Sequence, residues 1–210
     1  MPGADSVVGV LLAGGLSRRM GGGDKCLRLL GGQTILARII ETIRPQVAAL
    51  ALNANGDPVR FASFSLPVVP DVLPDNPGPL AGVLTGLEWA AAHHPHCAWV
   101  ATVPTDAPFL PGDLIARLLR ALRRDGAEMA CAASSDRHHP VCGLWPVALR
   151  GALRDAMTVE KVRKVDLWTG RYRLSVAEFP AHPIDPFFNT NRPEDLSRAE
   201  TLLAQSRGNG

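Results

Sequence analysis

Leu12-Ala13-Gly14-Gly15-Leu16-Ser17-Arg18-Arg19-Met20-Gly21-Gly22-Gly23-Asp24-Lys25 follows directly on the apolar run Val7-Val8-Gly9-Val10-Leu11. A short, nearly continuous apolar run that ends in glycines is how a buried parallel strand reads, because both of its faces are covered. The glycines after it let the backbone come close to a ligand and aim several N–H groups at one point, while Arg19 and Lys25 add mobile positive charge. A polyphosphate suits that arrangement. Two other phosphate loops do not fit. A P-loop needs Gly-Lys-Ser/Thr at the start of its helix, whereas Lys25 follows Asp24 and precedes Cys26, leaving no hydroxyl for magnesium. A dinucleotide fingerprint needs a third glycine three positions after the second, and Gly14-Gly15 is followed by Leu16-Ser17-Arg18-Arg19. A plain surface loop is the competing reading, disfavoured by so many glycines and cations directly after a buried strand.

Outward from this loop, strands and helices alternate. Thr34 is placed to cap a helix whose Ile35, Ile39, Ile40 and Ile43 repeat at helical spacing before Pro45. Val47 to Asn53 and Leu66 to Pro70 read as strands, the second ending at Asp71. Pro79 opens a helix carrying Leu80, Val83, Leu84 and Leu87, with proline at the first turn where its missing N–H does no harm. Cys97 to Val103 is a further strand, stopped by Pro104-Thr105-Asp106-Ala107-Pro108. Pro111 to Leu122 then forms a helix capped by Asp113. Glu128 to Ala133 and His139 to Trp145 are strands, Val147 to Met157 a helix, Thr158 to Pro186 a mixed or antiparallel extension, and Pro193 to Gln205 the last helix. The expected fold class is α/β: one Rossmann-like, three-layer domain with a mainly parallel twisted sheet and helices on both faces. In such sheets ligands bind beyond the carboxyl ends of the strands. The glycine loop, Asn53, Asp71 and Asp106 each follow a predicted strand, so one sheet edge gathers them.

The chain of 210 residues, 46% apolar, is long enough to bury one core without staples. Residues 1–205 are expected to be the domain and 206–210 a flexible tail. A net charge of +2 is too small for a polyanion footprint, and no basic stripe interleaved with aromatics occurs, so nucleic acid is not expected as a partner. Cys26, Cys97, Cys131 and Cys142 lack the spacing of a zinc site, which suits a reduced cytoplasmic compartment. The first residues read neither as a signal peptide nor as a membrane span. His93, His94 and His96, beside Pro95 at a helix end, lack an acidic companion at ligand spacing, and these and His138 and His139 read as surface or capping residues. Trp89, Trp99, Trp145 and Trp168 read as core or rim, with a ligand-lining role for Trp145 or Trp168 as the alternative.

Asp106, held between prolines at a strand end, is a stiff carboxylate suited to a hard cation that keeps several waters. A helix cap or turn aspartate is the competing reading. Because Asp113 is the better-placed cap, the balance moves toward the metal.

Leu-Ala-Gly-Gly-x-Ser-x-Arg-Met-Gly followed shortly by Asp-Lys resembles the signature loop of the molybdenum cofactor guanylyltransferases, within the wider nucleotide and sugar-nucleotide transferase superfamily. Further matches are Asn53, Asp71, Pro77-Gly78-Pro79-Leu80-Ala81-Gly82, Pro104-Thr105-Asp106-Ala107-Pro108, and Asn189-Thr190-Asn191 before Pro193-Glu194-Asp195-Leu196. The resemblance implies a nucleotide-diphospho-sugar transferase type of fold and transfer of GMP from GTP to the terminal phosphate of molybdopterin, with pyrophosphate released. It further implies that backbone groups of Leu12, Ala13 and Gly14 hold the nucleotide and that Lys25 contacts its phosphates. Asn53 and Asp71 would contact base or ribose, Asp71 being able to accept from the N1 and N2 donors of guanine. Asp106 would act through Mg2+, and Asn189 and Asn191 would lie on the pterin side. Molybdoenzymes or their chaperones would receive the product. Two departures stand out, Arg192 in place of a small polar residue and Thr105 in place of a cysteine. The chemistry needs no general base, since an acceptor phosphate monoester with a second pKa of about 6 is already an anionic nucleophile at neutral pH. It needs alignment and positive charge, which Arg19, Lys25 and a magnesium ion on Asp106 would supply. A cytidylyltransferase of the same cofactor and a sugar-phosphate nucleotidyltransferase share the loop. A non-catalytic GTP-binding module is the reading from a different class.

Overall fold

The computed structural model describes residues 3–13, 24–73 and 78–208. In chain order its strands and α-helices are β1 (Val7–Leu12), β2 (Leu29–Leu30), β3 (Gln33–Thr34), α1 (Ile35–Ile43), β4 (Ala49–Asn53), β5 (Val68–Val69), α2 (Pro79–His93), β6 (Trp99–Pro104), α3 (Leu114–Arg124), β7 (Met129–Ser134), β8 (Arg137–Pro146), α4 (Arg150–Thr158), α5 (Val165–Thr169), β9 (Leu174–Glu178) and α6 (Pro193–Gly208). Seven strands form one sheet in the order β5-β4-β1-β6-β8-β7-β9, and β2 pairs with β3 apart from it. Strand β1 is parallel to both neighbours, β4 and β6.

The expected mixed extension is present, but its parts are exchanged. Residues 158–186 contribute β9, which joins β7 in parallel. The antiparallel member is β8, which runs against both β6 and β7. The cause is the tight turn between β7 and β8, where Ser135 and Asp136 both take positive φ, 48° and 58°. Two such residues match the right-handed twist of a two-residue hairpin and turn the chain straight back.

Alternation along β1 divides the core into two layers. Val7 and Leu11 pack with α1, α3 and the buried Ala199 of α6. Val8 and Val10 pack on the opposite face with α2, α4 and α5. Helix α2 is buried at every position from Leu80 to Leu87, so it has no polar face there. It comes close to β1 because a Cβ on Gly86 would stand 2.8 Å from Val10 Cγ2. Trp145 and Trp168 belong to this second layer, 2% and 1% exposed, which places both in the core. The Trp145 indole donates to Thr102 Oγ1 at 2.7 Å.

Thr34 caps α1 as its sequence predicts, accepting from the Ala37 N–H at 3.2 Å. Asp113 does not cap α3 with its side chain, because its Oδ2 accepts from Arg117 Nε at 2.8 Å. The cap comes from elsewhere in the chain: buried Gln46 accepts from the Ile115 N–H at 3.1 Å. Helix α6 extends past Gln205 to Gly208. Among the described residues no helix is long and apolar enough to cross a membrane.

Candidate active site

Register alone sets four positions in one row at the carboxyl edge of the sheet. Leu12 lies opposite Asn53 on one side and Pro104 on the other, and Asn53 lies opposite Val69. The residues just beyond that row are Ala13, Asp71 and Asp106, so the sheet gathers what the sequence scatters over almost a hundred positions. The Ala13 N–H donates to the Asn53 carbonyl at 2.9 Å, and Thr105 Oγ1 donates to the Leu12 carbonyl at 3.1 Å. With the Ala13 N–H engaged by β4, a nucleotide contact from Ala13 falls to its carbonyl. Gly14 and Arg19, both expected at the site, lie outside the described residues.

Asn53 is buried and donates from Nδ2 to Asp71 Oδ1 at 2.8 Å and to the Val69 carbonyl at 3.1 Å. Its Oδ1 rests against α2, where a Cβ on Gly82 would stand only 2.4 Å away. Asn55, which the sequence reading did not single out, holds the other side of Asp71. Its Nδ2 donates to Asp71 Oδ2 at 2.7 Å, and its Oδ1 accepts from the Asp71 N–H at 2.8 Å. Each carboxylate oxygen of Asp71 thus spends one acceptor site on an amide and keeps a second lone pair for a ligand donor. The alternation Asn53-Ala54-Asn55 was the available signal.

Asp106 follows β6. Its Oδ1 is buried and has no hydrogen-bond partner. Burial pushes its carboxyl above the usual range, an effect that the Lys25 ammonium only partly offsets. The C-terminal return is bound to the same residue, since both the N–H and Oγ1 of Thr190 donate to the Asp106 carbonyl, at 2.8 and 3.0 Å. Thr190 is buried while its neighbours Asn189 and Asn191 are exposed, so the threonine is the anchor that presents the two asparagines. Asn191 Oδ1 accepts from Lys25 Nζ at 3.1 Å. Lys25, Asn191, Arg192 and Asp195 line an open cleft of about 520 Å³. Asp195 accepts from the Asn191 and Arg192 N–H groups at 3.0 and 2.8 Å, fixing this turn at the start of α6.

The orphaned buried carboxylate oxygen of Asp106 suits a hard divalent cation that takes one protein carboxylate and completes its shell with water and phosphate. No group of three or more His, Cys, Asp or Glu side chains among the described residues could hold a metal without such a ligand. The histidines divide. His93 sits at the end of α2, its ring nitrogen 3.0 Å from the Trp89 carbonyl. His139, expected at the surface, is instead half-buried, stacked on Phe187 with ring centroids 4.4 Å apart. Its Nε2 lies 2.9 Å from Ser134 Oγ, which donates to Asp185 Oδ1 at 2.8 Å. This trio is no nucleophilic triad. The aspartate engages the serine rather than the histidine, and Ser134 is only 1% exposed. It fastens the segment that leads to Asn189.

Residues 9–171 match the family described as the MobA-like NTP transferase domain. A molybdenum cofactor guanylyltransferase of Rhodopseudomonas palustris (strain BisB5) is 52% identical over 210 residues, covering 99% of this chain and all of that protein. One of Nitrobacter hamburgensis is 52% identical over 200 residues, covering 95% of this chain and 96% of that protein. In fold, the chain is similar to molybdopterin-guanine dinucleotide biosynthesis protein A of Archaeoglobus fulgidus, with a TM-score of 0.71 at 21% identity, covering 94% and 99% of the two chains.

Proposed function

Because the chain belongs to the family of MobA-like NTP transferase domains and is a nucleotidyltransferase, we propose that it transfers GMP from GTP to the terminal phosphate of the molybdopterin cofactor, releasing pyrophosphate. The observation that carries this reading is that Thr190 bonds to the Asp106 carbonyl while the next residue, Asn191, bonds to Lys25, which brings the lysine's turn and the unpartnered Oδ1 of Asp106 to one end of the sheet. An in-line phosphoryl transfer needs alignment and positive charge, which a lysine and a carboxylate oxygen free to hold a cation are suited to supply.

Asp71 and Asn53 bind the guanosine, with the remaining lone pairs of Asp71 accepting from guanine N1 and N2. Lys25 leaves Asn191 or shares its protons with it to reach the triphosphate, joined by Arg19 and the backbone from Ala13 and Gly14. Asn191 and Arg192 border the cleft, with Asn189 two residues before Asn191 on the acceptor side, and the Arg192 guanidinium adds an anchor for a phosphate. The acceptor phosphate attacks as an anion, so no side chain has to take a proton from it. Mg2+, held by Asp106 and the substrate phosphates, would neutralise charge on the α-phosphate and the departing pyrophosphate. The setting is cytoplasmic, and the product passes to molybdoenzymes or their chaperones.

Release of pyrophosphate from GTP in the presence of molybdopterin and Mg2+ tests the reading. Release from GTP and not from CTP, dependent on the pterin, is the expected result. Equal release from CTP would point to a cytidylyltransferase, and GTP binding with no release at all to a non-catalytic module.

A further inference from the structure

Asp24, immediately before Lys25, is a carboxylate at the place where a triphosphate has to bind. Left bare it would compete with the phosphates for the Lys25 ammonium and repel them. It is not bare. Arg60 Nε reaches Asp24 Oδ2 at 2.6 Å, with the two side chains 29% and 16% exposed. The same guanidinium donates to the Asn55 carbonyl at 2.6 Å and to the Asp57 carbonyl. The side chain of Asn55, in turn, clamps Asp71. Arg60 sits on a single 3-10 stretch, Pro58–Phe64, anchored by buried Phe61 and capped where Asp57 Oδ1 accepts from the Val59 N–H. A planar fork holds its five donors in fixed, spread directions and so satisfies one carboxylate and two carbonyls at once, whereas the three donors of an ammonium radiate from one point on a flexible stem.

We propose that Arg60 is a positioning residue for the phosphate-binding lysine: it neutralises Asp24 and ties the chain just before Lys25 to the Asn55–Asp71 cluster on the base side of the site. This rests on the nucleotide-transfer reading above and deepens it, because it makes phosphate affinity depend on a residue of the base-side segment. Arg60 is set apart from substrate by Asp24, so it acts through Lys25.

The test is calorimetric binding of GTP and of guanosine, which has no phosphate, to wild type, Arg60→Ala, Arg60→Lys, Asp24→Asn and the Arg60→Ala/Asp24→Asn double variant, with melting curves for each. Arg60→Ala is expected to weaken GTP about tenfold and guanosine less than about twofold. The double variant, with the bare carboxylate removed, is expected to recover at least about threefold of that loss, and Arg60→Lys to recover part of it by charge alone. Arg60→Gln, uncharged with a similar stem, carries the same comparison if the alanine variant does not fold. Unchanged GTP affinity in Arg60→Ala, an equal loss for guanosine, or a double variant no better than Arg60→Ala overturns the inference while leaving the transferase reading intact. A wild-type protein that binds no GTP overturns both.

Discussion

Lys25 Nζ donates to Asn191 Oδ1 at 3.1 Å across 166 positions of sequence. The bond joins the chain leaving the glycine-rich loop to the turn before α6, across the cleft that both residues line. Lys25→Ala is expected to weaken GTP binding by at least about tenfold, the worth of one charge-assisted contact to phosphate, and to lower turnover. Asn191→Ala and Arg192→Ala should leave GTP affinity within about twofold and raise KM for the pterin substrate. Calorimetry with GTP and steady-state pyrophosphate release separate the two effects.

If Asp106 has the proposed metal role, it sets activity against stability. Its carboxyl is raised by burial, so the folded protein binds its proton more tightly than the unfolded chain does. Stability from this group therefore falls as pH rises from the ordinary value of 3.8 through the folded value. Asp106→Asn removes that charge and should raise the unfolding free energy of the metal-free protein at neutral pH by on the order of 1 kcal/mol, while cutting transfer at least about a thousandfold. Denaturation without Mg2+ and pyrophosphate release with it provide both readings. Undiminished transfer would remove the metal role from this residue.

Gly82 is fixed by its neighbours. A Cβ there would stand 2.4 Å from Asn53 Oδ1 and 2.8 Å from Leu12 Cδ2, and Asn53 is held by two hydrogen bonds of its own. Gly82→Ala should cost about 1–3 kcal/mol of stability through overpacking and weaken GTP and guanosine alike, because Asn53 and Asp71 move together. Denaturant unfolding and the same pair of ligands check this.

The Ser134, His139 and Asp185 trio holds the segment leading to Asn189. Ser134→Ala leaves Asp185 and His139 without their shared hydroxyl and should cost about 1–3 kcal/mol. Burial lowers the His139 pKa, with Asp185 and Glu178 raising it and Arg137 and His138 lowering it. The fold thus prefers the neutral ring, and its contribution is present above the ordinary value of 6.5 and lost as pH falls below it. The melting temperature of wild type should drop on acidification through that range, and that of His139→Gln should drop less.

All four cysteines are free and buried. Burial pushes the Cys26 and Cys131 thiols up to about 11 and raises those of Cys97 and Cys142 as well. At pH 7.5 a thiol reagent should label none of them quickly in the native protein and all four in denaturant.

Much of the fold was legible from local pattern. A continuous apolar run, a glycine break, Thr34 before isoleucines at helical spacing and proline at the start of α2 are each decided by residues close in sequence, so they predict β1, α1 and α2 directly. The strands β7 and β8 were legible but their pairing was not, because Ser135-Asp136 is a weaker turn signal than Asn-Gly, and the direction of that turn decides which strand runs antiparallel. The Gln46 cap on α3 and the burial of His139 rest on partners far along the chain, which no window of sequence contains.

For the site, the sequence by itself determined the chemical inventory: a phosphate-suited glycine loop, a lysine after it, and carboxylates and amides at strand ends. The tertiary structure alone decided which of these meet and what each has left to offer. Parallel pairing with Leu12 opposite both Asn53 and Pro104 draws the strand ends into one row, and Thr190 brings the last turn onto Asp106. Whether a carboxylate is paired, like Asp24, or stripped of partners, like Asp106 Oδ1, depends on packing in three dimensions, because desolvation and hydrogen bonding act through space and not along the chain.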